Sequence, residues 1–402
     1  YSRLWEELPQ FFQNLGKSLN WAHFFMFSNE VRDTKTGLKC LETFNRDPLN
    51  QGLHVFLDRY LSWKLIFKVM KDWSETQLFY IKWGRKIENN NSLAPFGWLW
   101  PLIKKDWRES MIGINGIHNL LMCRLFDSFL KELPRQSLGF YIFENQSWEK
   151  ALIHFWRKNG HGRIIGVTHS TVRYWDLRYY DTNLLEIIPD LPQPDKVAVN
   201  GPNAWQNLKN SGYLMNSCLP VEAVRYQYLK DFNQKKEKPI SDKDKHILLI
   251  LGGIQVATTH QMILELEKIF LKLNSNYEVW IKSHPVNPIN LKHYPKLIAH
   301  LKEIPIEELL PNVDVALASV YTSAALDAYC MNVHVINHLD PNGFNFSPLR
   351  GIKSVAFVSS GEEILQALNK IDFSLFNIGK PDDFFWLDTE LPMWETQLTV
   401  QI

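Results

Sequence analysis

The chain has 402 residues, which exceeds one ordinary domain and suits two domains of the usual size. Hydrophobic residues make up 45% of the sequence and charged residues 22%, as is typical of a globular protein, and no apolar run approaches the roughly 18 residues of a membrane-spanning helix. The formal net charge of +1 gives no overall attraction for polyanions, so nucleic acid is not expected as a partner.

The cysteines are widely separated and show neither the CxxC spacing nor the Cys/His spacing of metal sites; they are Cys40, Cys123, Cys218 and Cys330. This distribution predicts free thiols in a reducing cytoplasm rather than a disulfide framework. The sequence has no signal-peptide pattern and begins at Tyr1 without a methionine, inside an amphipathic stretch. We therefore expect a cytoplasmic protein whose native N-terminus precedes this numbering.

Residues 1–135 are expected to be helical and rich in tryptophan, since eight of the 15 tryptophans lie at or before Trp107. Within this region the segment Tyr60–Trp73 interleaves lysines with aromatic and aliphatic side chains. The pattern is typical of a core helix whose lysines extend to solvent, and also of a helix that rests on a membrane. We prefer the core interpretation.

The segment Leu93–Trp107 contains two prolines, which argue against a long regular helix. It combines aromatic and basic side chains, namely Phe96, Trp98, Trp100, Lys104 and Lys105. An aromatic loop beside lysines suits the headgroup region of a bilayer. The sequence therefore predicts a peripheral contact of this loop with the inner face of the cytoplasmic membrane.

From residue 136 to residue 230 the pattern alternates strands with helices. The predicted elements are the strands Ser137–Phe143, Arg163–Ser170 and Lys196–Asn200 and the helix Ser147–Gly160. Alternation of this kind indicates βαβ units and hence a parallel sheet. Residues 1–235 are thus predicted to form an N-terminal, acceptor-side domain.

The segment Asp231–Lys245 contains nine charged residues and is predicted to be a linker. A second series of strands and helices follows over residues 246–371 and predicts a Rossmann-like domain. The aromatic segment 372–402 is expected to pack back on the N-terminal domain. The predicted fold class is α/β, with a helical, aromatic-rich N-terminal region and two Rossmann-like domains whose parallel sheets face a central cleft.

Two predicted strands of the second domain end in groups that suit an anion. The strand Tyr277–Ile281 is followed by Lys282 and His284, and the strand Val313–Ser319 is followed by Thr322, Ser323 and the helix Ala324–Cys330. Ligands bind at the carboxyl ends of strands in open α/β sheets, and a helix N-terminus offers N–H groups with partial positive charge. We predict one phosphate site from both corners, Ser319 included. The alternative is a surface turn and an ordinary helix N-cap.

Gly252 and Gly253 follow the apolar run that opens the second domain. Two glycines at the end of a strand allow backbone N–H groups to approach a ligand closely. The pattern is neither a Walker loop nor a GxGxxG fingerprint. Its assignment to the phosphate site depends on its position at the same sheet edge.

Glu144 ends the strand Ser137–Phe143, and His169 lies at the end of the next predicted strand. A carboxylate at this edge suits a general base or a nucleophile, and an imidazole suits a second acid or base. The alternative for Glu144 is a cap of the following helix. No cluster with metal-ligand spacing is present in the sequence, so neither a catalytic metal nor a separate cofactor is expected.

The KSHP corner at Lys282–Pro285 and the later SVYTSAALDA segment at Ser319–Ala328 resemble the GT-B glycosyltransferases of bacterial surface-polysaccharide assembly. Those that use CMP-activated sugars, such as capsule Kdo transferases and polysialyltransferases, are the most similar. The block Phe143–Tyr180 resembles bacterial surface carbohydrate biosynthesis proteins, and the whole resemblance covers about residues 137–370.

This resemblance implies a GT-B fold and assigns roles to residues. Contact with the donor phosphate is implied for Lys282, His284, Ser319, Thr322 and Ser323. The nucleoside would face Asp327 or the backbone near Gly253, and Glu144 would be the catalytic carboxylate.

The implied function is a metal-independent glycosyltransferase of capsule or O-antigen biosynthesis. It would move a Kdo-like or nonulosonic acid from a CMP-activated donor to a glycan or a lipid-linked glycan. A nucleotide-sugar epimerase on the same fold is one alternative. A non-catalytic, nucleotide-binding scaffold of a glycan-assembly complex is another.

Overall fold

The computed structural model describes residues 4–27, 31–47, 52–89, 97–180, 190–230, 245–273, 276–374 and 379–399. These residues form two compact units. The N-terminal unit comprises residues 5–167 and 190–197, and the C-terminal unit comprises residue 4, residues 168–180 and the described residues from 198 onward. All but the last residue of the predicted linker Asp231–Lys245 lies outside the described residues. The domain boundaries 1–235, 246–371 and 372–402 stay predictions.

The N-terminal unit is mainly helical. Its helices are α1 (Leu8–Asn14), α2 (Thr34–Arg46), α3 (Trp63–Phe79), α4 (Arg85–Asn89), α5 (Trp100–Met111), α6 (Ile114–Glu132) and α7 (Ser147–Lys158). Its strands are β1 (Trp21–His23), β2 (His54–Phe56), β3 (Leu138–Ile142) and β4 (Arg163–Val167). The pairs β1–β2 and β3–β4 are both parallel.

Side-chain caps fix where two of these helices begin. Asp33 accepts a hydrogen bond from the backbone N–H of Thr36 at 2.7 Å at the start of α2. Ser62 accepts one from the N–H of Leu65 at 3.3 Å at the start of α3. Each cap satisfies a donor that has no partner within its own helix.

The core interpretation of the segment Tyr60–Trp73 holds for only one side of α3. Leu65 and Val69 are buried, but Trp63 and Phe67 are exposed by 76% and 72%. The core interpretation is therefore wrong for these two aromatic side chains.

The predicted loop over Leu93–Trp107 is also wrong in part, because α5 begins at Trp100. Pro101 stands in the first turn, where its missing N–H would have no intrahelical partner in any case. Trp100 is buried, while Trp98 is 72% exposed. Phe96 lies outside the described residues.

The C-terminal unit carries the remaining elements. They are β5 (Lys196–Val199), α8 (Pro202–Asn210), β6 (Cys218–Pro220), β7 (His246–Leu251), α9 (Val256–Ile269), β8 (Tyr277–Lys282), β9 (His300–Leu301), α10 (Ile306–Leu309), β10 (Val315–Ser319), α11 (Ala324–Cys330), β11 (His334–His338), β12 (Ala356–Val358), α12 (Gly361–Asn369) and α13 (Pro392–Thr399). The strand β5 begins at the last residues of the N-terminal unit.

The strands form two larger sheets. The first has the order β3-β4-β5-β6, and the second has the order β12-β11-β10-β7-β8-β9. Every pairing in the second sheet is parallel. Leu249 and Leu251 pack in the core on one face of this sheet, and Leu248 and Ile250 pack in the core on the other. Burial on both faces is characteristic of a parallel sheet covered by helices.

The segment that precedes α13 and the first turn of α13 pack on residues 198–230. Phe385 stacks on Tyr226 with ring centroids 3.9 Å apart. The carboxylate of Glu222 accepts hydrogen bonds from the backbone N–H groups of Met393 and Trp394 at 2.7 and 3.1 Å. These contacts anchor the C-terminal segment through buried side chains. Among the described residues, no helix is both long enough and apolar enough to cross a membrane.

We expect Phe385→Ala to lower the free energy of unfolding of the C-terminal unit by about 3–5 kcal/mol, since it removes a buried ring that is 1% exposed. The matched control is Phe344→Ala, because that ring is 61% exposed and its loss should cost clearly less. Urea unfolding followed by tryptophan fluorescence gives both values. Equal losses in the two variants would show that the C-terminal segment does not contribute to this core.

Candidate functional site

The strand order of the second sheet brings three sequence motifs to one edge. β7 lies between β8 and β10, so its carboxyl end at Gly252 and Gly253 lies between Lys282 and Ser319. Neighbouring strands are about 4.8 Å apart, so the two outer corners lie roughly 10 Å from each other. That span suits a phosphate group together with its ligands.

The two glycines contact both corners. The N–H of Gly252 donates to the carbonyl oxygen of Lys282 at 3.0 Å, and a Cβ at Gly252 would lie 3.2 Å from the backbone nitrogen of His284. The N–H of Gly253 donates to Oγ1 of Thr259 at 2.9 Å, and a Cβ at Gly253 would lie 3.5 Å from Oγ of Ser319. Both N–H groups therefore have protein acceptors. What the pair offers a ligand is the space that a side chain would fill.

His284 lies half-buried at the first corner. Its Nδ1 accepts a hydrogen bond from the N–H of Val286 at 3.3 Å, so in the neutral ring Nε2 carries the hydrogen. Burial lowers the pKa of His284, which favours this neutral ring at pH 7. The ammonium of Lys282 donates to the carbonyl oxygen of Ile304 at 2.7 Å. The corner thus presents an imidazole donor and a nearby cation.

The second corner contains hydroxyls that also organise the backbone. Ser319 is buried, and its Oγ accepts from the N–H of Tyr321 at 3.4 Å. Oγ1 of Thr322 accepts from the N–H of Ala324 at 3.3 Å, and the carbonyl of Ser323 accepts from the N–H of Leu326 at 2.9 Å. Thr322 is therefore a local cap, as the alternative interpretation requires. The hydroxyl of Ser319 in turn donates to Oγ1 of Thr258 at 3.5 Å. Thr322 accepts through its oxygen, so its hydroxyl hydrogen can be donated to a ligand.

Asp327 lies on α11 and is buried. Its carboxylate accepts a hydrogen bond from the hydroxyl of Tyr228 at 2.8 Å, and burial raises the pKa of Asp327 to about 6. This bond connects α11 to the segment before residue 231. The role of Asp327 toward a nucleoside stays a prediction.

His169 lies half-buried in the segment 168–180 of the C-terminal unit. The preceding residue, Thr168, donates its hydroxyl hydrogen to the carbonyl of Ala198 at 3.1 Å. Further along, Nη1 of Arg173 donates to the carbonyl of Tyr321 at 3.5 Å. The segment that carries His169 therefore contacts the second corner through Arg173.

An aromatic group that the sequence analysis missed lies beside this contact. Trp175 stacks on Phe344 with centroids 4.9 Å apart, and the guanidinium of Arg350 lies 4.1 Å from the ring centroid of Tyr174. These residues are distant in sequence, and no local pattern connects them. Only the folded chain brings them together.

Glu144 lies in the N-terminal unit, in the turn between β3 and α7. Its carboxylate accepts a hydrogen bond from Nε2 of Gln146 at 2.9 Å. The carboxylate that caps the turn is that of Glu149, which accepts from the backbone N–H groups of Glu144, Asn145 and Gln146 at 2.9–3.0 Å. Glu149 is 1% exposed, and burial raises its pKa to about 7.

Glu149 was missed by the sequence analysis although a signal for it exists. A Gln or Glu three residues after an N-cap is the capping-box pattern, and Gln146 and Glu149 have this spacing. Asn145 adopts a φ of 56°, a left-handed conformation that asparagine tolerates better than most residues. The carboxylate of Glu149 therefore stabilises the turn that carries Glu144.

Comparisons with known proteins identify the fold. No protein-family model matches the chain, and no curated protein sequence matches it. The structure is similar to that of the glycotransferase of kitacinnamycin, with a TM-score of 0.51 and 10% identity over 92% of this chain and 88% of that chain. It is also similar to UDP-GlcNAc 2-epimerase from Neisseria meningitidis bound to UDP-GlcNAc, with a TM-score of 0.50 and 9% identity over 94% of this chain and 100% of that chain.

At such low identities the two similarities define the fold alone. They confirm the predicted GT-B-like α/β class with parallel sheets. The site residues stay predictions.

We expect Gly253→Ala to leave the fold intact, because the new Cβ meets neighbours only at ordinary contact distances of 3.5–3.7 Å. The same methyl group would occupy the space beside Ser319. The affinity for a ligand whose phosphate occupies this space should therefore fall by roughly fivefold or more, which corresponds to about 1 kcal/mol. Isothermal titration gives the affinity, and thermal unfolding controls for the fold. Unchanged affinity would show that no ligand uses this space.

Proposed function

We propose that the protein is a GT-B glycosyltransferase that binds a nucleotide sugar at the carboxyl edge of β7, β8 and β10. The single observation that supports this most is the placement of Gly253 between the His284 corner and the Ser319 corner. A small gap between an imidazole donor and two hydroxyls suits a phosphate oxygen. The ends of parallel strands are also where α/β proteins bind nucleotides.

The donor phosphate would receive hydrogen bonds from three side chains. Nε2 of His284 and the hydroxyl of Thr322 each have a hydrogen to donate. The ammonium of Lys282, which also donates to the carbonyl of Ile304, brings a positive charge and donor hydrogens to this corner. Charge on the leaving phosphate would then be stabilised by these donors. On this basis we propose a reaction that needs no metal ion.

The CMP donor, the Kdo-like or nonulosonic sugar and the capsule or O-antigen acceptor are the finer part of this proposal. They rest on the motifs at Lys282–Pro285 and Ser319–Ala328. We propose a glycan or lipid-linked glycan as the acceptor. A lipid-linked acceptor would place the reaction at the inner face of the cytoplasmic membrane.

Glu144 is the proposed catalytic carboxylate, and His169 is a second candidate acid or base. A carboxylate near the anomeric carbon either deprotonates the acceptor hydroxyl or attacks the carbon directly. Glu149 supports the assignment, because its three bonds to backbone N–H groups hold the turn that carries Glu144. Glu149 is thus a positioning residue.

Nucleotide-sugar epimerisation is the second candidate function. The observation that favours it is the similarity to the epimerase from Neisseria meningitidis, which covers 94% of this chain and 100% of that chain. Product analysis with and without a glycan acceptor separates the two reactions. Transfer requires the acceptor, whereas epimerisation changes the donor alone.

The test of the proposed function begins with a thermal-shift panel of CMP, CDP, UDP and GDP. A ligand present at 100 times its dissociation constant stabilises the native state by about 2.7 kcal/mol. The nucleotide that raises the melting temperature then selects the sugar donors for product analysis. Nucleotide binding without turnover across the donors would favour the scaffold alternative.

We expect His284→Ala and Thr322→Ala each to weaken nucleotide binding. Each removes one phosphate partner, and a hydrogen bond to a charged group contributes about 1.5–3 kcal/mol, or roughly 10- to 150-fold in affinity. His293→Ala is the matched control, since this histidine is exposed in the same unit. Wild-type affinity in both folded variants would exclude the proposed donor site.

We expect Glu144→Gln to retain nucleotide binding but to reduce sugar transfer at least about a hundredfold, the lower end for loss of a general base. The amide keeps the shape of the side chain and cannot accept the acceptor's proton. Glu132→Gln, at the end of α6, is the control for a general effect of lost charge. His169→Ala should reduce transfer less. Near-normal turnover of the Glu144 variant would remove Glu144 from the mechanism.

A further inference from the structure

The helix α3 and the π-helical turn Tyr80–Gly84 that follows it bury one side against the N-terminal unit. Leu65 and Val69 are each 4% exposed on this side. Asp72 accepts two hydrogen bonds of 2.6 Å from the guanidinium of Arg124 on α6. A bidentate pair of this kind fixes the rotation of α3 about its axis.

The opposite side of α3 carries a row of exposed apolar side chains, which we call the apolar stripe. Its members, with their exposed fractions, are Trp63 (76%), Phe67 (72%), Met70 (45%), Leu78 (67%) and Ile81 (62%). At 100° per residue the four positions on α3 fall within an arc of about 80°. Ile81 follows in the π-helical turn. The arc lies roughly opposite the buried side, so the stripe is not an edge of the core.

Lysines form a second row along one flank of the apolar stripe. Lys64, Lys68, Lys71 and Lys82 are all exposed there. The acidic side chain in the same row is Glu75, which lies 3.9 Å from Lys71. The flank is therefore positively charged over about five helical turns. The apolar stripe has about the same length.

An exposed apolar row of this size marks an interaction surface rather than ordinary scatter of single residues. A protein groove would cover the apolar stripe without needing a basic flank of equal length. A bilayer with anionic headgroups satisfies both rows together, since the rings enter the interface and the ammonium groups meet the phosphates. Tryptophan at the first position of the stripe also suits the headgroup region.

We infer that α3 docks the protein on an anionic lipid surface, with the helix lying in the plane of the interface and the apolar stripe facing the lipid. This inference goes beyond the proposed reaction and does not depend on it. It also places the main membrane contact on α3 rather than on the segment Leu93–Trp107, where Trp98 is 72% exposed but Trp100 is buried.

Cosedimentation of the full chain with vesicles tests the inference. The vesicles contain phosphatidylcholine alone or phosphatidylcholine with phosphatidylglycerol. We expect binding to the anionic vesicles, with a decrease at high salt because ions screen the lysines. The double variant Trp63→Ser, Phe67→Ser should lower the partition coefficient at least about tenfold, since each ring loses its apolar burial. Lys64→Glu together with Lys68→Glu should lower binding to the anionic vesicles only.

A matched control replaces exposed apolar residues elsewhere, as Phe344→Ser together with Leu271→Ser in the C-terminal unit, which are 61% and 88% exposed. These changes should leave vesicle binding unaltered. Circular dichroism and the melting temperature confirm that each variant is folded. Nucleotide affinity of the α3 variants should equal that of the wild type, which separates this test from the test of the donor site.

Three outcomes would overturn the inference. Wild-type protein that sediments with neither vesicle does not dock on lipid. Equal partitioning of the wild type and the Trp63→Ser, Phe67→Ser variant places the contact elsewhere, and a loss confined to Trp98→Ser would return it to the segment before α5. Self-association of the wild type that the double variant lacks would show that a second copy of the chain covers the apolar stripe.

Discussion

The parallel hydrogen-bonded ladder around β7 is the constraint on which the C-terminal unit depends. Leu248, Leu249 and Ile250 are fully buried, with side chains alternating between the cores on the two faces. A strand that is apolar on both faces must be covered on both faces, and β7 also has a neighbouring strand on each edge. In a parallel sheet this centrality also places the carboxyl end of β7 between two other strand ends. The geometry of the candidate site is therefore a consequence of how the core is packed.

The sequence predicts the strands of this sheet but not the order in which they pair. Continuous apolar runs with polar residues at their ends predict β7 and β10, because burial on both faces leaves no alternation to confuse them with a surface strand. β8 is predicted from its β-forming residues, although its burial alternates. No pattern within a strand states which strand is its neighbour. The hydrogen bond from Gly252 to Lys282 and the one from Tyr228 to Asp327 join residues far apart in sequence. Such bonds determine how close the residues after β8 lie to the residues after β10.

In the N-terminal unit the sequence predicts a helix but not which of its sides is buried. α3 is apolar on two sides, so periodicity identifies the helix without identifying which side is buried. The choice is made by α6, whose Arg124 pairs with Asp72 and turns Leu65 and Val69 inward. The start of α5 was missed for a different reason. Proline is disfavoured in the interior of a helix but favoured in its first turn. Pro101 therefore predicts either a break or a helix start, and the sequence does not show which.

Glu144 and Glu149 are the same residue type, but their surroundings give them different roles. Glu144 and Glu149 are five positions apart, and the sequence singled out Glu144 because it ends a strand. The structure gives the capping role to Glu149, whose oxygens meet three backbone N–H groups in a buried position. Burial raises the pKa of Glu149 to about 7, while hydrogen bonds from those N–H groups act in the opposite direction. Because Glu149 caps the turn, the carboxylate of Glu144 need not do so. A turn held in this way presents the carboxylate of Glu144 at low conformational cost, which is what the proposed role as a general base requires.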